Sequence, residues 1–172
     1  DAIISNTSGC GTTLKDYGFI FRNDDDLKKK AKKISELTKD ISEYLDDNIK
    51  LNFIKNKESN KGYRIAYHSA CSMQHGQKIH DVPINLIKKT GNKVFDVPEG
   101  HICCGSAGTY NLLQTDIAKK LLKNKISNIN KINPQFITTG NIGCITQIAN
   151  GTKIPILHTV EIIDWYTGGP KP

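Results

Sequence analysis

Long apolar runs are missing from this 172-residue sequence. No stretch nears the ~20 consecutive apolar residues that a membrane-spanning helix needs. Aromatic residues are scarce, at 7%. None interleaves the lysine-rich stretch, so the stacking platform of single-strand nucleic-acid binders is missing. The opening Asp1–Gly11 has no Met, no basic segment and no apolar core, so no secretory signal is read there. An opening this apolar and strand-like is expected of a chain that begins inside a larger protein. The five cysteines are an odd number and include no C-x-x-C pair. That argues against a disulfide framework and against zinc-finger spacing. Metal binding, redox chemistry or packing remain for these thiols. No Ser-His-Asp arrangement, paired-carboxylate pattern or phosphate-cradling Gly loop is recognisable, and no flavin or nicotinamide fingerprint. Any organic substrate is therefore expected to react on another subunit.

What is present suits a folded α/β chain. Charged residues make up 24% and hydrophobic residues 37%, with a mean hydropathy of −0.42. This is the composition of an ordinary globular domain. The net charge of +7 is diffuse. Lys28-Lys29-Lys30-Ala31-Lys32-Lys33 follows directly on Asp24-Asp25-Asp26. Carboxylates before a basic turn are what the helix dipole and i,i+4 pairing favour. We expect a solvated helix here, not a nucleic-acid patch.

Residues 1–5 read as a short buried strand, followed by a helix at about 13–21. Asn23 or Asp24 caps a helix to about Leu45, with Leu27, Ala31, Ile34, Leu37, Ile41 and Leu45 at three- and four-residue steps. The polar run Asn56–Gly62 is the strongest boundary signal. It divides the chain into residues 1–55 and 62–168. Beyond it, strands are expected at Arg64–His68, Lys93–Val97, Gln135–Thr139 and Ile154–Leu157. Helices are expected at 77–90, 110–132 and 160–166, with a short one after the Gly140–Cys144 loop to about Ala149. This alternation implies a parallel sheet. A weak repeat relates Ile3-Ile4-Ser5…Gly9-Cys10 to Ile137-Thr138-Thr139…Gly143-Cys144.

Cys71, the Cys103-Cys104 pair and Cys144 each fall in the loop just after an expected strand. In a parallel sheet those loops share the carboxyl edge, where ligands bind. The placement therefore predicts that thiols distant in sequence converge on a metal or redox site. The competing view is a set of unrelated buried cysteines. Cys103 and Cys104 cannot both enter one apolar core from adjacent loop positions. A vicinal disulfide, or one packed and one idle thiol, is the bland alternative.

The segments His68-Ser69-Ala70-Cys71-Ser72-Met73, His101-Ile102-Cys103-Cys104-Gly105-Ser106-Ala107-Gly108 and Asn141-Ile142-Gly143-Cys144 together resemble the cysteine-rich CCG domain. That domain occurs twice in a subunit of the heterodisulfide reductases and in related oxidoreductases. Within the group, the flanks are most similar to the iron–sulfur subunit of glycolate oxidase. The resemblance implies a Rossmann-like α/β fold, a parallel sheet with helices on both faces. It makes residues 1–55 the tail of a first CCG module and residues 62–168 a complete second one. It also implies an iron–sulfur cluster of the 4Fe–4S type, with Cys71, Cys103, Cys104 and Cys144 as metal ligands and Cys10 as a further candidate. Whether a truncated chain keeps that cluster is not implied.

Gly105, Gly108 and Gly143 are expected to let the backbone approach the cluster, with ordinary loop-to-helix junctions as the competing view. His75 and His101 are candidates to ligate, to carry a proton or to donate to a cluster sulfur, and His68 stands beside them near the cysteines. The family's fuller motif ends in C-x-x-C, but Asn141 stands at the first of those positions, and Thr7 at its counterpart. Four thiolates still suffice for an ordinary cluster. Flavoprotein subunits and a quinone-type acceptor are the implied partners. The implied location is the cytoplasm or the inner face of the membrane. Lactate, glycerol 3-phosphate or a heterodisulfide are rival substrates. A structural zinc or thiol interaction module is the non-enzyme alternative.

Overall fold

The computed structural model describes residues 1–54 and 62–172. The expected boundary therefore lies, apart from Gly62, outside the described residues. Beyond it, β3 (Arg64–Tyr67), β4 (Lys93–Asp96), β5 (Phe136–Thr139) and β6 (Ile156–His158) form one sheet in the order β4-β3-β5-β6. Every pairing is parallel. Side chains alternate across the sheet as the period of two demands. Ala66 and Ile137 enter one core, with Ile129, Ile132 and Ile148. Ile65, Tyr67 and Leu157 enter another, with Ile84, Ile87, Ile162 and Tyr166. The first core is closed by α7 (Thr115–Ile132) and α8 (Ile142–Ala149), the second by α5 (Asp81–Lys89) and α9 (Thr159–Tyr166). The Rossmann-like expectation of helices on both faces holds.

The strand order contains a switch point. From β3 the chain moves outward to β4, then returns across β3 to reach β5. A crevice opens at the carboxyl ends of β3 and β5, where the direction reverses.

Before the boundary, β1 (Ile3–Ser5) pairs in parallel with β2 (Thr38–Asp40) in a separate sheet. Ile4 is half-exposed, so β1 is not the fully buried strand expected. The helix expected at 13–21 is α1 (Ser8–Lys15) followed by α2 (Tyr17–Ile20). The long helix expected to Leu45 is split into α3 (Lys28–Leu37), β2 and α4 (Ile41–Asn48). Apolar periodicity runs through the break and hides it. What stops the helix is a capping box. Asp40 is extended, its Oδ1 accepts from the Ser42 N–H, and the Asp40 N–H donates to Glu43 Oε2. The lysine-rich α3 is solvated, with Lys28 paired to Asp25 and Lys32 near Glu36.

Two further helices differ from those expected. Residues 72–77 form a π-helical turn, and α5 starts only at Asp81. Pro83 explains this, because its missing N–H is tolerated only in a first turn. The helix expected at 110–132 is interrupted at Gln114, which separates α6 (Tyr110–Leu113) from α7.

The internal repeat is deeper than the Gly-Cys match. β1–α1 and β5–α8 share an extended cap, Thr7 or Asn141, followed by Gly-Cys in the first turn. β2–α4 and β6–α9 each begin their helix with a capping box, from Asp40 and Glu43 or from His158 and Glu161.

Candidate metal centre

Three loops build the site at the switch point. The first follows β3. His68 extends the pairing one residue beyond the strand, its N–H donating to Thr138 O at 2.8 Å. The chain then turns through Cys71 into the π-helical turn.

The second loop follows β4 and carries Cys103 and Cys104. It has left-handed backbone at Glu99, Gly105, Ala107 and Gly108. Helix α7 holds it from behind. The fully buried Lys125 donates to Glu99 O at 3.1 Å, and the Glu99 carboxylate accepts from Asn124 and Asn128. Gly105 fits where a side chain could not. A Cβ there would lie 2.5 Å from Ala118 O. Its N–H donates to Cys103 Sγ at 3.3 Å.

The third loop follows β5. Asn141 caps α8, its Oδ1 accepting from the Cys144 N–H at 3.2 Å. Its Nδ2 donates to Ser8 Oγ at 2.8 Å, and Ser8 shares a 2.7 Å hydrogen bond with Ser72. Asn141 thus ties α1, the π-helical turn and α8 together. Gly143 lets α8 approach the second loop, because a Cβ there would lie 2.9 Å from Ser106 Oγ.

The result is a cleft of about 450 Å³ with all five cysteines in its lining. None is in a disulfide. They are graded in depth: Cys104 and Cys144 are buried, Cys71 and Cys103 half-buried, and Cys10 lies on the exposed rim. The fully buried His68 offers a ring nitrogen that, with Cys104 Sγ and Cys144 Sγ, makes a set of ligand atoms all within 4.8 Å of one another. Gly108 also lines the cleft. Gly105 supports it from behind. His75 and His101 are exposed and do not line it.

The thiols act on one another. Cys103 is held well below the ordinary thiol range by hydrogen bonds from Cys104 and then Cys71, with the Gly105 N–H adding to them. Cys144 is pulled down to about 6, first by Cys104 and, against burial, by the nearby His68. Cys104 and Cys71 are pushed up, each chiefly by its bond to Cys103. Two thiols therefore donate and two accept. Burial lowers the Lys125 amine, while the nearby cysteines favour its charge.

Soft thiolates converging in one cleft match thiophilic metals and iron–sulfur clusters. A buried imidazole with no hydrogen-bond partner beside the thiols is a second mark of a metal-binding place. The donor set fits such a centre. The sequence reading names His75 and His101 as candidates to bind the cofactor and leaves out His68 and Lys125. For His68 a signal existed: it ends an expected strand at the carboxyl edge, whereas His75 and His101 lie beyond it. Nothing in the sequence sets Lys125 apart from the other lysines of the 110–132 helix.

Residues 65–149 match the cysteine-rich domain family CCG. The glycolate oxidase iron-sulfur subunit of Escherichia coli (strain K12) is 35% identical over 95% of this chain, and 39% of that protein is covered. Lactate utilization protein A of Geobacillus sp. (strain WCH70) is 25% identical over 95% of this chain, with 70% of that protein covered. The chain thus spans about two fifths of the first relative's length. Among the described residues, no helix is long and apolar enough to cross a membrane. The vicinal Cys103-Cys104 pair and the loops that gather it to Cys71 and Cys144 all lie within residues 65–149, the stretch that matches the CCG cysteine-rich domain family.

Proposed function

We propose that this chain is the C-terminal part of an electron-transfer iron–sulfur subunit of an oxidoreductase, with glycolate as the substrate of the whole complex. One observation carries this assignment: four thiols from three strand-following loops line one cleft. Cys71, Cys103, Cys104 and Cys144 would hold a cluster of the 4Fe–4S type. When bound, such a cluster supplies one-electron transfer at a potential set by its surroundings.

The chain's own groups supply those surroundings. The Gly105 N–H points at Cys103 Sγ. Lys125 brings a buried amine behind the loop and fixes its backbone at Glu99. Asn141 holds the first turn of α8, and Cys144 with it. Cys10 reaches the rim from the preceding module, of which residues 1–55 are the tail.

In the assembled complex a flavoprotein subunit would oxidise glycolate to glyoxylate, and the electrons would leave to a quinone-type acceptor. A peripheral place at the inner face of the membrane suits that acceptor. The likeness to lactate utilization protein A, which extends over 70% of that relative, favours lactate as the second substrate choice.

The test is Cys103→Ser and Cys104→Ser in the full-length subunit. Both should abolish visible cluster absorption and glycolate-dependent dye reduction in the complex. His75→Ala should cost little. Full electron transfer in both cysteine variants would make the loop structural.

A further inference from the structure

We propose that His68 is itself a metal ligand, so that the centre is a mixed nitrogen–sulfur site. This rests on the assignment of the thiols as a metal centre. His68 has no exposed surface, and neither Nδ1 nor Nε2 has a hydrogen-bond partner. A buried polar atom left without a partner costs about 1–3 kcal/mol. An imidazole buried without an oxygen or nitrogen partner and with two cysteine sulfurs beside it is placed to ligate a metal. The next residue along β5 from its backbone partner, Thr139, also buries an unpartnered oxygen. His68 and Thr139 thus place unpartnered polar atoms at the carboxyl ends of the neighbouring strands β3 and β5.

The chemistry of the missing group follows from the neighbours. Cys104 and Cys144 present sulfurs within 4.8 Å of the ring. Soft sulfur beside imidazole selects a thiophilic transition metal, free or as the iron of a cluster. An organic ligand would not need two thiols there. His68 also answers a deficit in the motif. Asn141 stands where the fuller C-x-x-C pattern has a cysteine, and its amide is committed to the Cys144 N–H and to Ser8. His68, one residue past β3, provides the additional donor from the opposite side of the switch point.

The experiment uses the anaerobic, reduced wild-type chain and Co²⁺ alone as the probe. Thiolate-to-cobalt charge-transfer absorption should appear together with a hyperfine-shifted, exchangeable histidine ring N–H resonance. His68→Cys should keep the absorption and lose that resonance. His68→Leu should weaken Co²⁺ binding by at least about tenfold, the scale of losses around metal-bound histidines. Charge-transfer absorption without a shifted histidine resonance in the wild type overturns the proposal, as does failure to bind Co²⁺. The wild-type spectrum decides the matter even if a variant does not fold. If Co²⁺ binds through His68 but iron and sulfide never assemble, the cluster assignment fails while the nitrogen ligand stands.

Discussion

Replacing Gly105 by alanine should damage the thiol loop far more than the same change at Gly108. Both glycines have left-handed backbone, with φ of +95° at Gly105 and +62° at Gly108. A side chain in that region costs roughly 1–2 kcal/mol at either position. The surroundings differ. At Gly108 an added Cβ meets nothing within 4 Å. At Gly105 it would meet Ala118 O at 2.5 Å and Gln147 Nε2 at 3.1 Å. Ala118 O is helix backbone and cannot swing aside, so the loop must move away from α7. Overpacking of this kind costs a further ~1–3 kcal/mol. Gly105→Ala should therefore lose about 2–5 kcal/mol, and Gly108→Ala about 1–2 kcal/mol. For a chain of this size, each kcal/mol lowers Tm by about 2–4 °C. Thermal unfolding of both variants beside the wild type, all metal-free, reads the difference. Equal losses would refute the close packing of the loop on α7.

Two other outcomes follow from the same residues. In the metal-free reduced chain near neutral pH, a small alkylating reagent should modify the half-buried, acidified Cys103 well before the buried Cys104, as peptide mass spectrometry would record; equal rates would contradict their different depths. Asp40 titrates above the ordinary value of 3.8 because burial outweighs its bonds from Ser42. Its stabilising contribution is therefore complete below that value and is lost as pH rises through the raised native one. Asp40→Asn, which can keep the cap, should remove that fall in urea midpoints across the mildly acidic range.

The convergence of the thiols was legible in the sequence because strand-following loops share an edge in any parallel sheet. The second module's strands were legible for the related reason that short apolar runs alternate with helical stretches, with Pro98 and Gly140 closing two of them. The split at Thr38–Asp40 was not, because Leu37, Ile41 and Leu45 keep helical spacing across a capping box that only Asp40 and Glu43 announce. The late start of α5 was encoded in Pro83. The two fully buried groups near the thiols were harder. His68 looks like any histidine near a cysteine until burial strips both nitrogens of partners. Lys125 is marked only by the turn of α7 that points it at Glu99 O.

Whether Cys71, Cys103, Cys104 and Cys144 hold an iron–sulfur cluster is decided by iron and acid-labile sulfide analysis of the anaerobically reconstituted chain. Iron and sulfide should appear in equal amounts, near four of each per chain as a 4Fe–4S centre requires, and both should be lost in Cys104→Ser. Stoichiometric zinc with no sulfide, or no bound metal under reducing conditions, would contradict the cluster assignment.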